Sequence, residues 1–150
     1  MTPHRYRLRV YFEDTDAGGI VYHANYFRYA ERARTEALRD AGIPHSELVR
    51  DFGQMFVVRR GEIDYLRPAR LDEVLTVVTE PISIGGASLM LRQDCRNADG
   101  ENCARLVLRL ACVTIGGLRA DGAADMPRPA KLPPRWRAGL LAMMAPTGPP

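Results

Sequence analysis

Asp14, Asp16, Gly18, Gly19, His23 and Asn25 fall within one run, EDTDAGGIVYHANY at residues 13–26, and their types and spacing suit carbonyl chemistry. The two aspartates end an alternating, strand-like stretch. The glycines can take positive φ or let a ligand approach the backbone. His23 and Asn25 stand where a helical period begins. A helix N-terminus leaves backbone N–H groups unpaired and carries positive partial charge. A carbonyl lodged there would be polarised by those donors and open to attack under a carboxylate's control. The same residues have plainer uses. Aspartates also close turns and cap helices, and an isolated histidine often only packs. A calcium loop is disfavoured by the spacing. Gly18 takes the fifth place of an EF-hand count and Asn25 the twelfth, where a bidentate glutamate is needed, and the run leaves a strand rather than a helix.

The surrounding elements must hold that run in place. Upstream, Tyr6, Leu8, Val10 and Phe12 alternate with Arg5, Arg7, Arg9 and Tyr11, the period of a strand with one wet face. Downstream, Tyr26, Phe27, Ala30, Ala33, Ala37, Leu38 and Ala41 recur at three and four, which predicts one apolar helix face. Asn25 or a neighbour caps it, Gly42 stops it and Pro44 keeps it stopped. The alanines let its backbone come close to a sheet. Strands are predicted at 56–59, 62–67, 73–84, 88–96 and 102–115, the last two joined by an Asn97-Ala98-Asp99-Gly100 hairpin turn. Strand, main helix, then strands in succession is an α+β order with one antiparallel sheet. A single helix cannot cover about five strands, so the sheet curls around it or a second subunit covers the rest. From Met126 onward prolines concentrate, among them Pro127, Pro129, Pro133 and Pro134. This predicts an irregular arm with a short helix near 135–143 and a loose end. Residues 1–125 read as the main fold and 126–150 as an arm of the same domain.

Composition narrows the functional classes. At 150 residues the chain suits one core, and 46% hydrophobic with 26% charged residues excludes wholesale disorder. No apolar run reaches the roughly 18–20 residues of a membrane span, and the N-terminus does not read as a signal peptide. The net charge of +3 favours an anionic small molecule and falls short of a nucleic-acid footprint. Cys95, Cys103 and Cys112 show no metal-ligand spacing. They indicate a reducing, cytoplasmic setting without disulfide, zinc or other cofactor.

The run Tyr11 to Tyr26, with Glu31-Arg32-Ala33-Arg34 in the helix, closely resembles the active-site signature of hotdog-fold acyl-CoA thioesterases. The family is that of 4-hydroxybenzoyl-CoA thioesterase, and in particular its bacterial branch associated with the Tol–Pal envelope system. A looser match continues through Ile63-Asp64-Tyr65-Leu66-Arg67-Pro68-Ala69 to about Ile115. The resemblance implies a hotdog fold, one long central helix wrapped by a curved antiparallel sheet, paired into a homodimer or tetramer. It implies acyl-CoA hydrolysis with Asp16 as the catalytic carboxylate and the backbone N–H of His23 as donor to the thioester oxygen. Gly18, Gly19, Tyr22, Asn25 and Ser88 are implied substrate contacts. The family often shows an arginine before that serine. Here the run is Gly85-Gly86-Ala87-Ser88, so Arg128 and Lys131 stand as candidate replacements at the CoA phosphates.

A thioester suits so spare a site, because its leaving thiol, with a pKa near ~8.5, departs without much acid help. Asp16 can activate water or attack directly to form a mixed anhydride. No Gly-x-Ser-x-Gly elbow occurs. Two other readings share these residues: a hydratase or dehydratase acting on acyl thioesters, and a non-catalytic module that binds acyl thioesters or acyl carrier protein. Release of free thiol separates them.

Overall fold

The computed structural model describes residues 3–116 and 120–144. β1 (His4–Arg9) leads through a 3₁₀ turn at Phe12–Asp14 and a loop into α1 (Asn25–Asp40). Then follow α2 (His45–Phe52), β2 (Gln54–Tyr65), β3 (Val74–Ile84), β4 (Ser88–Arg96), β5 (Asn102–Thr114) and α3 (Pro134–Met143). The strands form one antiparallel sheet in the order β1-β3-β4-β5-β2. The architecture is the α+β one expected. No helix among the described residues is long and apolar enough to cross a membrane.

The period-two pattern of the strands separates two faces. Leu75, Val77, Leu91, Cys95, Leu106 and Leu108 are buried on the inner rows. Against them lies the small-residue face of α1, with Tyr29, Ala30, Ala33 and Ala37 all at 1% exposure or less. At 16 residues, α1 is about 24 Å long and is the longest helix among the described residues. One polar residue pins it to the sheet. Gln93, fully buried on β4, donates from Nε2 to the Ala30 carbonyl (2.8 Å) and the Thr79 hydroxyl (3.0 Å), and accepts from Arg34 (3.0 Å).

Several expectations need correction. The segments 56–59 and 62–67 are one strand, β2, whose register against β5 shifts between Val58 and Arg60. That bulge breaks the alternation and hides the continuity. α2 occupies residues to which the sequence pattern assigns no element; Pro44 caps its start in an extended conformation, and Gly53 ends it at φ +61°. Phe12 does not point inward. β1 ends at Arg9, and the 3₁₀ turn leaves Phe12 81% exposed. Phe27 and Ala41 are likewise exposed, at the margins of the buried face of α1. The cap expected at Asn25 or a neighbour falls on Ala24, without a side-chain bond.

α3 starts at Pro134, and its Trp136 is fully buried with its ring centroid 6.0 Å from that of Phe56. Before it, the arm pairs with the end of β5, Val113 opposite Pro129. Arg135 binds Glu47 and the Gly42 carbonyl, and Arg137 donates to the Gly85 carbonyl (2.7 Å). The loose end expected past residue 144 lies outside the described residues.

Register fixes the two ends of the sheet. Val74, Arg96, Asn102 and Tyr65 meet at the end where β1 leaves the sheet, while Ile84, Ser88, Thr114 and Gln54 lie at the other. The loop carrying Asp16 belongs to the first end.

Candidate active site

The loop from Tyr11 to Ala24 is built almost wholly by its own hydrogen bonds. Tyr11 N–H donates to Asp14 Oδ2 (2.8 Å), which closes the 3₁₀ turn. The Asp14 carbonyl then accepts twice at 2.8 Å, from Tyr22 N–H and from Nδ2 of Asn25. These two bonds tie the end of β1 to the start of α1. Bridges pairing Thr15 with Val21 and Ile20 with Arg70 form a tight reversal. Within it, Asp16 N–H donates to the Ile20 carbonyl and Gly19 N–H to the Asp16 carbonyl, both at 3.0 Å.

Two glycines make that reversal possible. Gly19 sits at φ +76°, a left-handed conformation that other residues adopt at a cost. Gly18 N–H donates to Asp16 Oδ1 (2.9 Å), and a β-carbon on Gly18 would lie 3.2 Å from the same oxygen. Gly18 thus holds one carboxylate oxygen by its backbone and leaves no bulk beside it. Asp16 itself is exposed. A carboxylate held at one oxygen and open to solvent at the other can take a proton from water or attack an electrophile.

The donors lie at the other end of the loop. The backbone N–H groups of His23 and Ala24 have no acceptor among the described residues. They open α1, whose first turn holds no acidic side chain to neutralise its positive end. Tyr65 on β2 steadies this point by donating its hydroxyl to the His23 carbonyl (3.0 Å). The His23 ring lies between two phenols, its centroid 4.4 Å from Tyr22 and 6.2 Å, edge-on, from Tyr65. Beneath, the Tyr29 hydroxyl is buried without a hydrogen-bond partner among the described residues. Burial and the neighbouring Asp14 carboxylate both push its phenol pKa up, so it stays neutral.

The thioesterase superfamily model matches residues 18–104, more than half of the chain. This chain belongs to the thioesterase superfamily. It is 43% identical over 109 residues to the acyl-CoA thioester hydrolase YbgC of Escherichia coli, covering 73% of this chain and 81% of that protein. Identity to the acyl-CoA thioesterase YbgC of Haemophilus influenzae is 41% over 113 residues, 75% of this chain and 82% of that one. Among solved structures, a probable thioesterase from Bartonella henselae superposes with a TM-score of 0.74 at 33% identity, over 87% of this chain and 99% of that one. The chain is a thioester hydrolase.

In this thioesterase the predicted site residues divide into three groups. Asp16, Gly18, Gly19, Tyr22 and His23 share one exposed loop. Asn25 is 6% exposed and spends its amide on the Asp14 carbonyl, so it organises the loop from beneath. Ser88 and Arg128 are at the far end of the sheet, where Gly85 N–H donates to the Ser88 carbonyl and Thr114 N–H to the Arg128 carbonyl. The strand length from Ser88 to Arg96 separates them from the loop by roughly 26 Å. One protomer does not bring them to Asp16. Tyr65 is a positioning residue that the sequence did not reveal. The contact from Tyr65 to His23 joins residues 42 apart, and no local pattern announces it. A cavity of about 450 Å³ among the described residues lies away from this loop. It lies between the second half of α1, α2, α3 and the inner sheet, lined by Leu38, Met55, Phe56, Leu89 and Leu140.

Proposed function

We propose that this thioesterase hydrolyses an acyl-CoA, with Asp16 as the group that activates or attacks and the first free N–H groups of α1 as the oxyanion donors. The observation that carries this reading is one loop holding both halves of the chemistry. Asp16 is presented through the Gly18 N–H bond, and the unpaired His23 and Ala24 N–H groups follow in the same loop. In the general-base form, Asp16 takes a proton from water and the oxygen attacks the carbonyl carbon. The C–S electron pair then leaves with the CoA sulfur as thiolate. In the covalent form the carboxylate oxygen makes that attack and water later opens the anhydride. A base is worth ~10²–10⁴ and one oxyanion donor ~10²–10³ in rate. Together they suffice for a modest hydrolase without a metal or other cofactor.

The names of the Escherichia coli and Haemophilus influenzae relatives support acyl-CoA as the substrate. The active unit in this reading is a homodimer or a dimer of dimers. β1 and β2 are edge strands of the sheet, and Ser88, Arg128 and Lys131 reach an Asp16 loop only from a partner subunit. Residues 1–125 form the catalytic domain and 126–150 its arm, in a reducing cytoplasm. The test is a thiol-release screen over acyl-CoA chain lengths, aryl-CoAs and an acyl-carrier-protein thioester. Turnover on at least one CoA thioester is expected. Binding of these thioesters without thiol release from any of them overturns the reading.

A further inference from the structure

The outer face of the sheet carries more positive charge than the whole chain. Its rows bear eight arginines against four carboxylates, a surplus of four beside a net charge of +3. The carboxylates are already engaged. Arg92 binds Glu80 (2.7 Å), Arg60 binds Glu62 (2.8 Å), and Asp94 is buried between Arg105 (2.7 Å) and Arg96 (3.5 Å). Asp64 stands opposite Arg105 in the register. Arg9 donates to the Asp72 carbonyl. The side chains of Arg5, Arg7 and Arg109 have no hydrogen-bond or ion-pair partner among the described residues, and all three residues are exposed.

We propose that this outer sheet face docks the protein on an anionic phospholipid bilayer. The arginines are spread over β1, β2, β4 and β5 rather than gathered in a pocket, and guanidinium pairs readily with phosphate. A second copy of the same face would meet this one with like charge. A folded protein partner needs apolar anchors at its centre. On these rows the one exposed large hydrophobic residue is Ile82, at the bulge beside Pro81. A single-stranded nucleic acid needs aromatic platforms, and the outer rows offer none. A broad array of phosphate headgroups asks for distributed cations alone, each contributing additively. The helices lie on the opposite face, so docking leaves them clear.

Co-sedimentation of the full chain with vesicles tests this. One set is phosphatidylcholine alone and the other contains about 30% phosphatidylglycerol, at about 50 mM and about 500 mM salt. Binding is expected to the anionic vesicles at low salt only. A triple variant, Arg5→Gln with Arg7→Gln and Arg109→Gln, should bind at least ~30-fold more weakly with an unchanged thermal unfolding midpoint. Three results overturn the proposal: no binding to anionic vesicles at low salt, equal binding to phosphatidylcholine alone, or full binding by the triple variant. Capture on an acidic protein or on nucleic acid without vesicle binding overturns it as well.

Discussion

The two aspartates of the loop should differ sharply in what their charge does. Asp16→Asn retains an oxygen to accept Gly18 N–H, the 2.9 Å bond that shapes the reversal. The loop therefore survives while base and nucleophile are lost, and kcat/KM should fall by at least ~10². Asp14→Asn also retains an oxygen for Tyr11 N–H, now without charge. The bonds that join β1 to α1 use the main-chain carbonyl of Asp14, which the substitution leaves untouched. Weakening one side-chain bond costs about 1 kcal/mol. Even if all of it appeared as misplacement of the loop, the rate loss would stay below ~10-fold. The two variants should thus be separated by at least ~10 in kcat/KM. The measurement is release of CoA thiol under initial-rate conditions for both variants, with thermal unfolding as the control for folding. If Asp14→Asn is the slower of the two, or Asp16→Asn keeps more than about a tenth of the activity, the assignment of Asp16 is wrong.

Other outcomes follow from the same geometry. His23→Ala keeps the backbone N–H at the head of α1, so its loss in kcat should be smaller than that of Asp16→Asn; an equal loss with an intact circular dichroism spectrum would make the imidazole a primary catalyst. Gln93→Leu removes the bonds to Ala30, Thr79 and Arg34 from a fully buried position, and urea unfolding should show a loss of about 3 kcal/mol. Acid titration should find Asp94 important. Burial opposes its charge, but the Arg105 hydrogen bond and the charges of Arg105, Arg92 and Arg96 outweigh burial and hold its pKa below the usual carboxylate value. Its stabilising contribution is then present above the unfolded carboxylate pKa and lost as pH falls through the folded one. Arg105→Gln should accordingly unfold at a higher pH than the parent, and an unchanged acid midpoint would count against that account.

What the sequence disclosed was mostly periodic. β1 and the buried face of α1 follow from period two and period 3.6, the strand from 74 from its Val- and Thr-rich run, and the last two strands from the hairpin turn between them. The misses arose where a local signal was interrupted or answered a distant partner. The bulge at 58–60 split β2 in two. Pro44 was read as a stop, although it equally begins α2. Phe12 continued the alternation on paper, but the bond from Tyr11 N–H to Asp14 ends the strand first. At the site, the Asp-Thr-Asp and Gly-Gly types were legible because the loop makes its own geometry from neighbouring residues. Tyr65 was not, since it reaches the loop only through tertiary packing.

The three cysteines gain a meaning once the product is a thiol. Cys95, Cys103 and Cys112 are all buried, and desolvation is the leading reason that each thiol is held above its ordinary pKa. An exposed thiolate would exchange with CoA disulfides as product accumulated. Here the folded chain stays inert toward the compound it releases. A disulfide reagent added to follow turnover therefore reads CoA and leaves the enzyme unmodified. Upon unfolding, the same reagent meets three new thiols per chain. One colour reaction thus records catalysis while the protein is native and the loss of its core when it is not.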